Sequence, residues 1–247
     1  MTLTAPVACL ASLKAASGIR VTVCVPARDE AMTVAAVVAP VAAALAHLVD
    51  ELIVVDDCST DGTGSIAESF GARVVRRNAG PGKGAAMAAG LAASTGDIVV
   101  FLDADVRNFG MHYVTRLIEP LVADPTLVMV KGTYERPGDA GGGRVTELLA
   151  RPLLRRLFPE LAFLRQPLAG EVAVRRDALE GLVLEPGYGV EIGMLIDVTR
   201  RFGPSAIAQV DLGSRLHRNR PLGELAGQAD EVLEAVLTRT PCAQRRS

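Results

Sequence analysis

The stretch Asp97-Ile98-Val99-Val100-Phe101-Leu102-Asp103-Ala104-Asp105 is an unbroken apolar run that ends in two carboxylates separated by a single alanine. A short continuous apolar run bounded by polar residues is the pattern of a strand buried on both faces. Working back toward the N-terminus, the pattern recurs. Val21 to Val25 leads into Pro26 and the polar Arg28, Asp29 and Glu30, and the apolar run after Glu51 ends in the acidic turn Asp56 to Gly62. Ala72 to Val75 reads as a further strand, and helical stretches fill the gaps, an Ala-rich one from Ala31 to Val49, one ending near Phe70, and one from about Lys83 to Ser94. Strands alternating with helices predict an α/β fold with a mostly parallel sheet covered on both faces. Ligands bind such sheets at the carboxyl ends of the strands. That directs attention to Asp29 and Glu30, to Asp56, Asp57 and Asp61, and to Asp103 and Asp105.

Beyond the first half the pattern is less regular. It holds a Gly-rich loop at 138–143, a predicted helix from Thr146 to Phe158, a turn at Pro186 to Gly189, a basic segment at Arg215 to Arg220, and a final amphipathic helix from Leu222 to Leu237. The organisation expected is an N-terminal extension at 1–20, a nucleotide-binding half at 21–132, a second half of the same domain at 133–240, and a tail at 241–247. Residues Met1 to Gly18 have no basic residue ahead of their apolar stretch, which makes a poor signal peptide and reads as a frayed or loosely packed end. The segment 31–49 is long enough to span a bilayer but carries Pro40 and His47 between two strands, so it reads as a buried crossover helix.

The 247 residues are 49% hydrophobic and 22% charged, enough to bury a large core. A formal charge of −2 gives no field for nucleic acid, which is excluded as a partner. Cys9, Cys24, Cys58 and Cys242 show neither zinc-ligand spacing nor a disulfide framework, consistent with a reducing cytoplasm.

Asp103 and Asp105 at a strand end suit a hard cation such as Mg²⁺, which binds through one or two carboxylates plus substrate phosphates. Asp-x-Asp also makes ordinary Asx-turns, so the pair points to metal only in company. Asp29 and Asp57 can accept hydrogen bonds from base N–H groups and ribose hydroxyls, although Asp57 to Gly62 also satisfies a plain turn and helix cap. Lys83, in Pro81-Gly82-Lys83-Gly84 just before a helix, is placed where an ammonium and backbone N–H groups meet a phosphate, without Walker A spacing. His217 reads equally as a capping histidine, and Glu191 as a carboxylate near a helix N-terminus. Three glycines at 141–143, then Arg144 and Thr146 at a helix start, offer close backbone approach, a planar fork and a hydroxyl to an anion, although the glycines alone equally suit a flexible loop before a normally capped helix.

Together, Val25 to Glu30, Val54 to Gly62 and Asp103 to Asp105 resemble the GT-A glycosyltransferases of the broad family 2 type. The motifs at 141–148, 186–193 and 217–222 narrow the resemblance to the glucosyl-3-phosphoglycerate synthase family, over roughly residues 21–239. It implies a GT-A sheet with a C-terminal acceptor-binding portion. It implies that Pro26, Ala27, Arg28, Asp29 and Glu30 hold the uridine, that Asp57 reaches the ribose, and that Lys83, Asp103 and Ala104 meet the donor. It further implies that Asp105 and His217 ligate Mg²⁺ or Mn²⁺, that Glu191 faces the transferring sugar, and that Gly143, Arg144, Thr146, Tyr188 and Asn219 hold 3-phosphoglycerate. Catalysis by Glu191, Lys83 and Asp105, transfer from a UDP-sugar with retention, and a homodimer follow from the same resemblance. Residues alone leave the gluco or manno donor and the UDP or GDP base open. A hexosyltransferase acting on a polyprenyl phosphate shares the first-half motifs but wants an anchor or basic amphipathic surface that is not evident, and an inert nucleotide-sugar-binding module would not need the Asp103, Asp105, Glu191 and His217 set.

Overall fold

In the computed structural model, which describes residues 5–45, 47–135, 143–216 and 222–241, the strands form one seven-stranded sheet in the order β3-β2-β1-β4-β6-β5-β7. These are β1 (Val21–Ala27), β2 (Glu51–Asp57), β3 (Arg73–Arg77), β4 (Ile98–Phe101), β5 (Met129–Glu135), β6 (Val172–Arg175) and β7 (Ile207–Ser214). All run parallel except β6, which pairs antiparallel with both β4 and β5. Six residues of β1 and β2 pair in step from Thr22 opposite Glu51 to Ala27 opposite Asp56, so the two acidic turns emerge side by side.

Neighbouring residues of one strand serve two cores. Val23, Val25, Val54 and Val100 face one layer, built by α2 (Val34–Ala42) and α5 (His112–Ala123). Cys24, Ile53, Val55 and Phe101 face the other, built by α4 (Lys83–Ala93), α6 (Arg151–Leu157) and α8 (Val190–Phe202). Burial on both faces is why the strands read as continuous apolar runs rather than alternating ones. The burial of the Cys24 thiol pushes it up to about 12, so it is an inert core side chain. β3 reaches Arg77 rather than stopping at Val75, and its charged residues fit an edge strand with one side toward solvent.

Three expectations are corrected. The N-terminal stretch is not loose from Ala5 on: α1 (Ala5–Ser17) buries Leu10 in the first core and pairs Lys14 with Asp50 at 2.7 Å. Its Ala-rich composition favours helix, and the tether holds it. The crossover after β1 is interrupted, with α2 ending at Ala42 before a run of turns. The helix at Thr146 opens as a π-helical turn, Thr146–Ala150, before becoming α6. Pro152, with no N–H to donate to Leu148, stands at that junction. Two short connections complete the chain, α3 (Thr63–Ser69) and α7 (Arg176–Leu179), followed at the end by α9 (Leu222–Arg239). Among the described residues no helix is long and apolar enough to cross a membrane.

Candidate active site

The carboxyl ends of β1, β2 and β4 open onto a cavity of about 710 Å³. Pro26, Ala27, Arg28, Glu30, Asp57 and Lys83 line it, as do Asp103, Ala104 and Asp105. Gly143, Arg144, Thr146, Tyr188 and Glu191 also line the same cavity, so residues from both halves of the chain meet in one place. His217 and Asn219 lie outside the described residues, as do Gly141 and Gly142. Asp29 is not on the wall. With φ at 52° it turns its carboxylate onto the Thr60 N–H at 2.9 Å, while its own N–H donates to Ser59 Oγ at 3.1 Å, which staples the first loop to the second.

Alternating charges form the floor. Lys83 Nζ lies 2.8 Å from Asp103 Oδ1 and 2.5 Å from Glu191 Oε1. Arg215 extends one nitrogen, Nη2, to Asp103 Oδ2 and Asp105 Oδ1, both at 2.8 Å. Its other terminal nitrogen, Nη1, reaches Glu171 Oε1 at 2.9 Å and donates to the Tyr134 hydroxyl at 2.7 Å. Burial pushes the Asp103 carboxyl upward, but Lys83 and Arg215 outweigh it and hold the group well below the usual carboxylate range. Burial likewise works against the Lys83 ammonium, and Asp103 and Glu191 keep it well above its ordinary value. Lys83 is therefore a fixed positive charge and no base.

A second tier lies beneath. Glu171 and Lys131 are fully buried and absent from the cavity wall. Burial pushes Glu171 up to about 7 against the pull of Arg215. Burial lowers Lys131 to about 8 with Glu191 offsetting part of it, and its ammonium donates to the Ala169 carbonyl at 2.5 Å. Sequence reading missed Arg215 as an individual, and Glu171 and Lys131 altogether. The available signal was a lysine inside an otherwise apolar strand, Met129-Val130-Lys131, because a buried charge needs a partner.

The start of α4 is built differently from the expectation of an open phosphate cradle. Its Gly84 and Ala85 N–H groups donate to the carbonyls of Gly187 and Pro186 at 3.2 and 2.8 Å, and Gly82 N–H donates to Asp57 Oδ2 at 2.7 Å. A Cβ on Gly84 would lie 1.7 Å from the Glu185 carbonyl oxygen, so only glycine allows this docking. These three donors are spent on the chain itself, which leaves Lys83 as the residue of this helix start to meet an anion. The same docking brings Glu191, in the first turn of α8, to Lys83. From α9, Glu231 fastens the turn by accepting the Tyr188 N–H at 2.5 Å.

The donor set fits a divalent cation. Asp103 and Asp105 each place an oxygen 2.8 Å from the same guanidinium nitrogen, so the two carboxylates converge on one cationic point, and Mg²⁺ and Mn²⁺ take such hard oxygen ligands. Among the described residues no third His, Cys, Asp or Glu joins them in a metal-binding group.

The model of the family described as Glycosyl transferase family 2 matches residues 22–181. The chain is 47% identical over 248 residues to the glucosyl-3-phosphoglycerate synthase of Mycolicibacterium paratuberculosis, covering 93% of this chain and 75% of that protein. It is 39% identical over 247 residues to the enzyme of the same name from Petrotoga mobilis, covering 93% of this chain and 76% of that one. The crystal structure of glucosyl-3-phosphoglycerate synthase from Mycobacterium tuberculosis in complex with Mn²⁺, UDP-glucose and phosphoglyceric acid superposes with a TM-score of 0.89 at 44% identity, over 97% of this chain and 85% of that one. A crystal structure of the same enzyme with Mg²⁺ and UDP matches with a TM-score of 0.89 at 44% identity, over 97% of this chain and 84% of that one. With the sheet order, the strand-end carboxylates and the cavity shared by both halves, this kinship places the chain in glycosyl transferase family 2 and, within it, among the glucosyl-3-phosphoglycerate synthases.

Proposed function

We propose that the chain moves glucose from UDP-glucose to 3-phosphoglycerate, giving glucosyl-3-phosphoglycerate and UDP. The observation that carries this reading is the meeting of donor-side and acceptor-side residues in one cavity, joined across it by the Lys83–Glu191 ion pair. Residues 21–132 serve the donor: Pro26, Ala27, Arg28 and Glu30 with Asp57 border the nucleoside, Asp29 staples their loop from behind, and Lys83, Asp103 and Ala104 border the diphosphate. Residues 133–240 serve the acceptor through Gly143, Arg144, Thr146 and Tyr188, with Asn219 from the segment that follows Arg215.

Asp105, with Asp103 beside it and His217 completing the set, would hold Mg²⁺ or Mn²⁺, which when bound neutralises charge on the departing diphosphate. The chain's own contribution at that end is Lys83 and Arg215, two cations fixed before substrate arrives, which favour the charge that develops on UDP. Glu191 pairs with Lys83 at 2.5 Å and lies beside the transferring sugar, where negative charge favours a carbon becoming positive. The bond from glucose C1 to the diphosphate oxygen breaks, one forms to the free hydroxyl of phosphoglycerate, and the hydroxyl proton leaves with the diphosphate. Glu191, already paired with Lys83, is not the base for that proton. Delivery on the face the diphosphate leaves retains the anomeric configuration. The enzyme works in the cytoplasm as a homodimer.

A donor-by-acceptor screen with Mg²⁺, scored by product mass and anomeric NMR coupling, tests the reading. UDP-glucose with 3-phosphoglycerate is expected to give the α-linked product, and glycerate to be a far poorer acceptor. Transfer to a polyprenyl phosphate and not to phosphoglycerate, or a β-linked product, overturns it.

A further inference from the structure

Glu171 is a carboxylate with no exposure, outside the cavity wall, that faces one nitrogen of one arginine with both oxygens, Oε2 in a hydrogen bond and Oε1 at ion-pair distance without one. Oε1 lies 2.9 Å and Oε2 3.1 Å from Arg215 Nη1. An isolated arginine and carboxylate prefer a fork, two parallel N–H···O bonds from two nitrogens. Here the fork is refused. Nη1 goes to Glu171 and Tyr134, which leaves Nη2 with both its hydrogens for Asp103 and Asp105. The fifth donor, Nε, is buried and without a hydrogen-bond partner among the described residues, so the guanidinium orientation is set entirely by what its two ends hold.

Glu171 itself has little freedom. Its carbonyl accepts the Gly132 N–H at 2.9 Å, and β6 begins at the next residue. Gly170, just before it, lies against the Asp103 carboxylate so closely that a Cβ there would be 2.2 Å from Oδ1. One rigid strand start therefore fixes both the lower end of Arg215 and the place of Asp103.

We propose that Glu171 is a positioning residue for the transfer, which anchors Arg215 from below and takes up part of its charge so that the guanidinium bridges Asp103 and Asp105 without outcompeting the metal for them. The inference rests on the assignment of the metal to Asp105 and of transfer to this cavity. Without the Glu171 charge, the whole cationic field of Arg215 falls on the two aspartates. Metal affinity then drops although no ligand has been touched.

The test uses the full chain, with Mn²⁺ binding followed by electron paramagnetic resonance in the presence of UDP and no acceptor, alongside steady-state transfer. In Glu171→Gln, which keeps shape and loses charge, the half-saturating Mn²⁺ concentration is expected to rise about tenfold, as for other outer contacts of metal ligands. The same variant is expected to lose about tenfold in kcat with KM for both substrates within about twofold. Wild-type Mn²⁺ affinity and kcat in that variant overturn the proposal. Where Glu171→Gln is too unstable to purify, Glu171→Asp decides, because it keeps the charge but withdraws it by one methylene. Mn²⁺ affinity near wild type with kcat severalfold lower supports the proposal, and unchanged kcat overturns it. A wild type that transfers no sugar to phosphoglycerate would sink the functional reading instead, and leaves the Mn²⁺ comparison intact.

Discussion

Two acidic turns, Asp56 to Asp61 after β2 and Asp103 to Asp105 after β4, look alike in the sequence and differ in what their carboxylates hold. The first spends them largely on backbone. Asp56 accepts the Ser59 N–H at 3.1 Å, Asp61 accepts the N–H groups of Ala31 and Thr63 at 2.9 and 3.0 Å, and Asp57 accepts the Gly82 N–H at 2.7 Å while pairing with Arg77. The second spends them on two cations, Lys83 and Arg215, on the wall of the cavity. A carboxylate that holds peptide N–H groups shapes a loop. One held by cations at a cavity keeps a charge ready for exchange, and that difference, rather than acidity, separates scaffold from chemistry.

The contrast is broken most directly at Asp105. Asp105→Asn removes a charge without removing volume, and transfer is expected to fall roughly a thousandfold, the worth of several kcal/mol of charge stabilisation, while the thermal midpoint stays near that of wild type. A variant with ordinary turnover would put the two turns in the same class.

Asp57 is the intermediate case. Asp57→Asn leaves Arg77 short of its buried counter-charge and loosens the Gly82 tether that starts α4, which is expected to cost about 2 kcal/mol in urea unfolding. KM for UDP-glucose is expected to rise severalfold through the displaced Lys83, with kcat less affected than in Asp105→Asn. A loss of kcat as deep as at Asp105, with full stability, would move Asp57 into the chemical class.

The smallest effect is at Asp61. Burial nudges its carboxyl upward, but the Thr63 hydroxyl and the Ala31 and Thr63 N–H groups hold it below the usual range. The stabilisation is thus complete above a pH of about 4, where the unfolded group has ionised, and is lost as pH falls through the folded value. Asp61→Ala is expected to lower stability by about 1 kcal/mol at neutral pH, to flatten the acid limb of the unfolding curve, and to leave kcat unchanged. An acid limb identical to wild type contradicts the assignment.

What the sequence made legible was local. Apolar runs ending in carboxylates located β1, β2 and β4, and Arg28, Glu30, Asp57, Asp103 and Asp105 at or just after their ends line the cavity, because a strand end and its turn are set by a few neighbouring positions. Arg215, Glu171 and Lys131 were not legible as a cluster, since their meeting depends on the pairing of β5, β6 and β7, which brings Arg215 to Glu171 across 44 residues of chain and to Asp103 across 112. The start of α4 was misread for the same reason. Its N–H groups look open until the Pro186 turn, a hundred residues later, is docked on them.

That docking has a consequence for competing anions. A helix start that greets its own chain offers no row of open N–H groups to stray inorganic phosphate or sulfate. On the proposed assignment of Gly143 and Arg144 to phosphoglycerate, inhibition by free phosphate is expected to be relieved by raising phosphoglycerate rather than UDP-glucose.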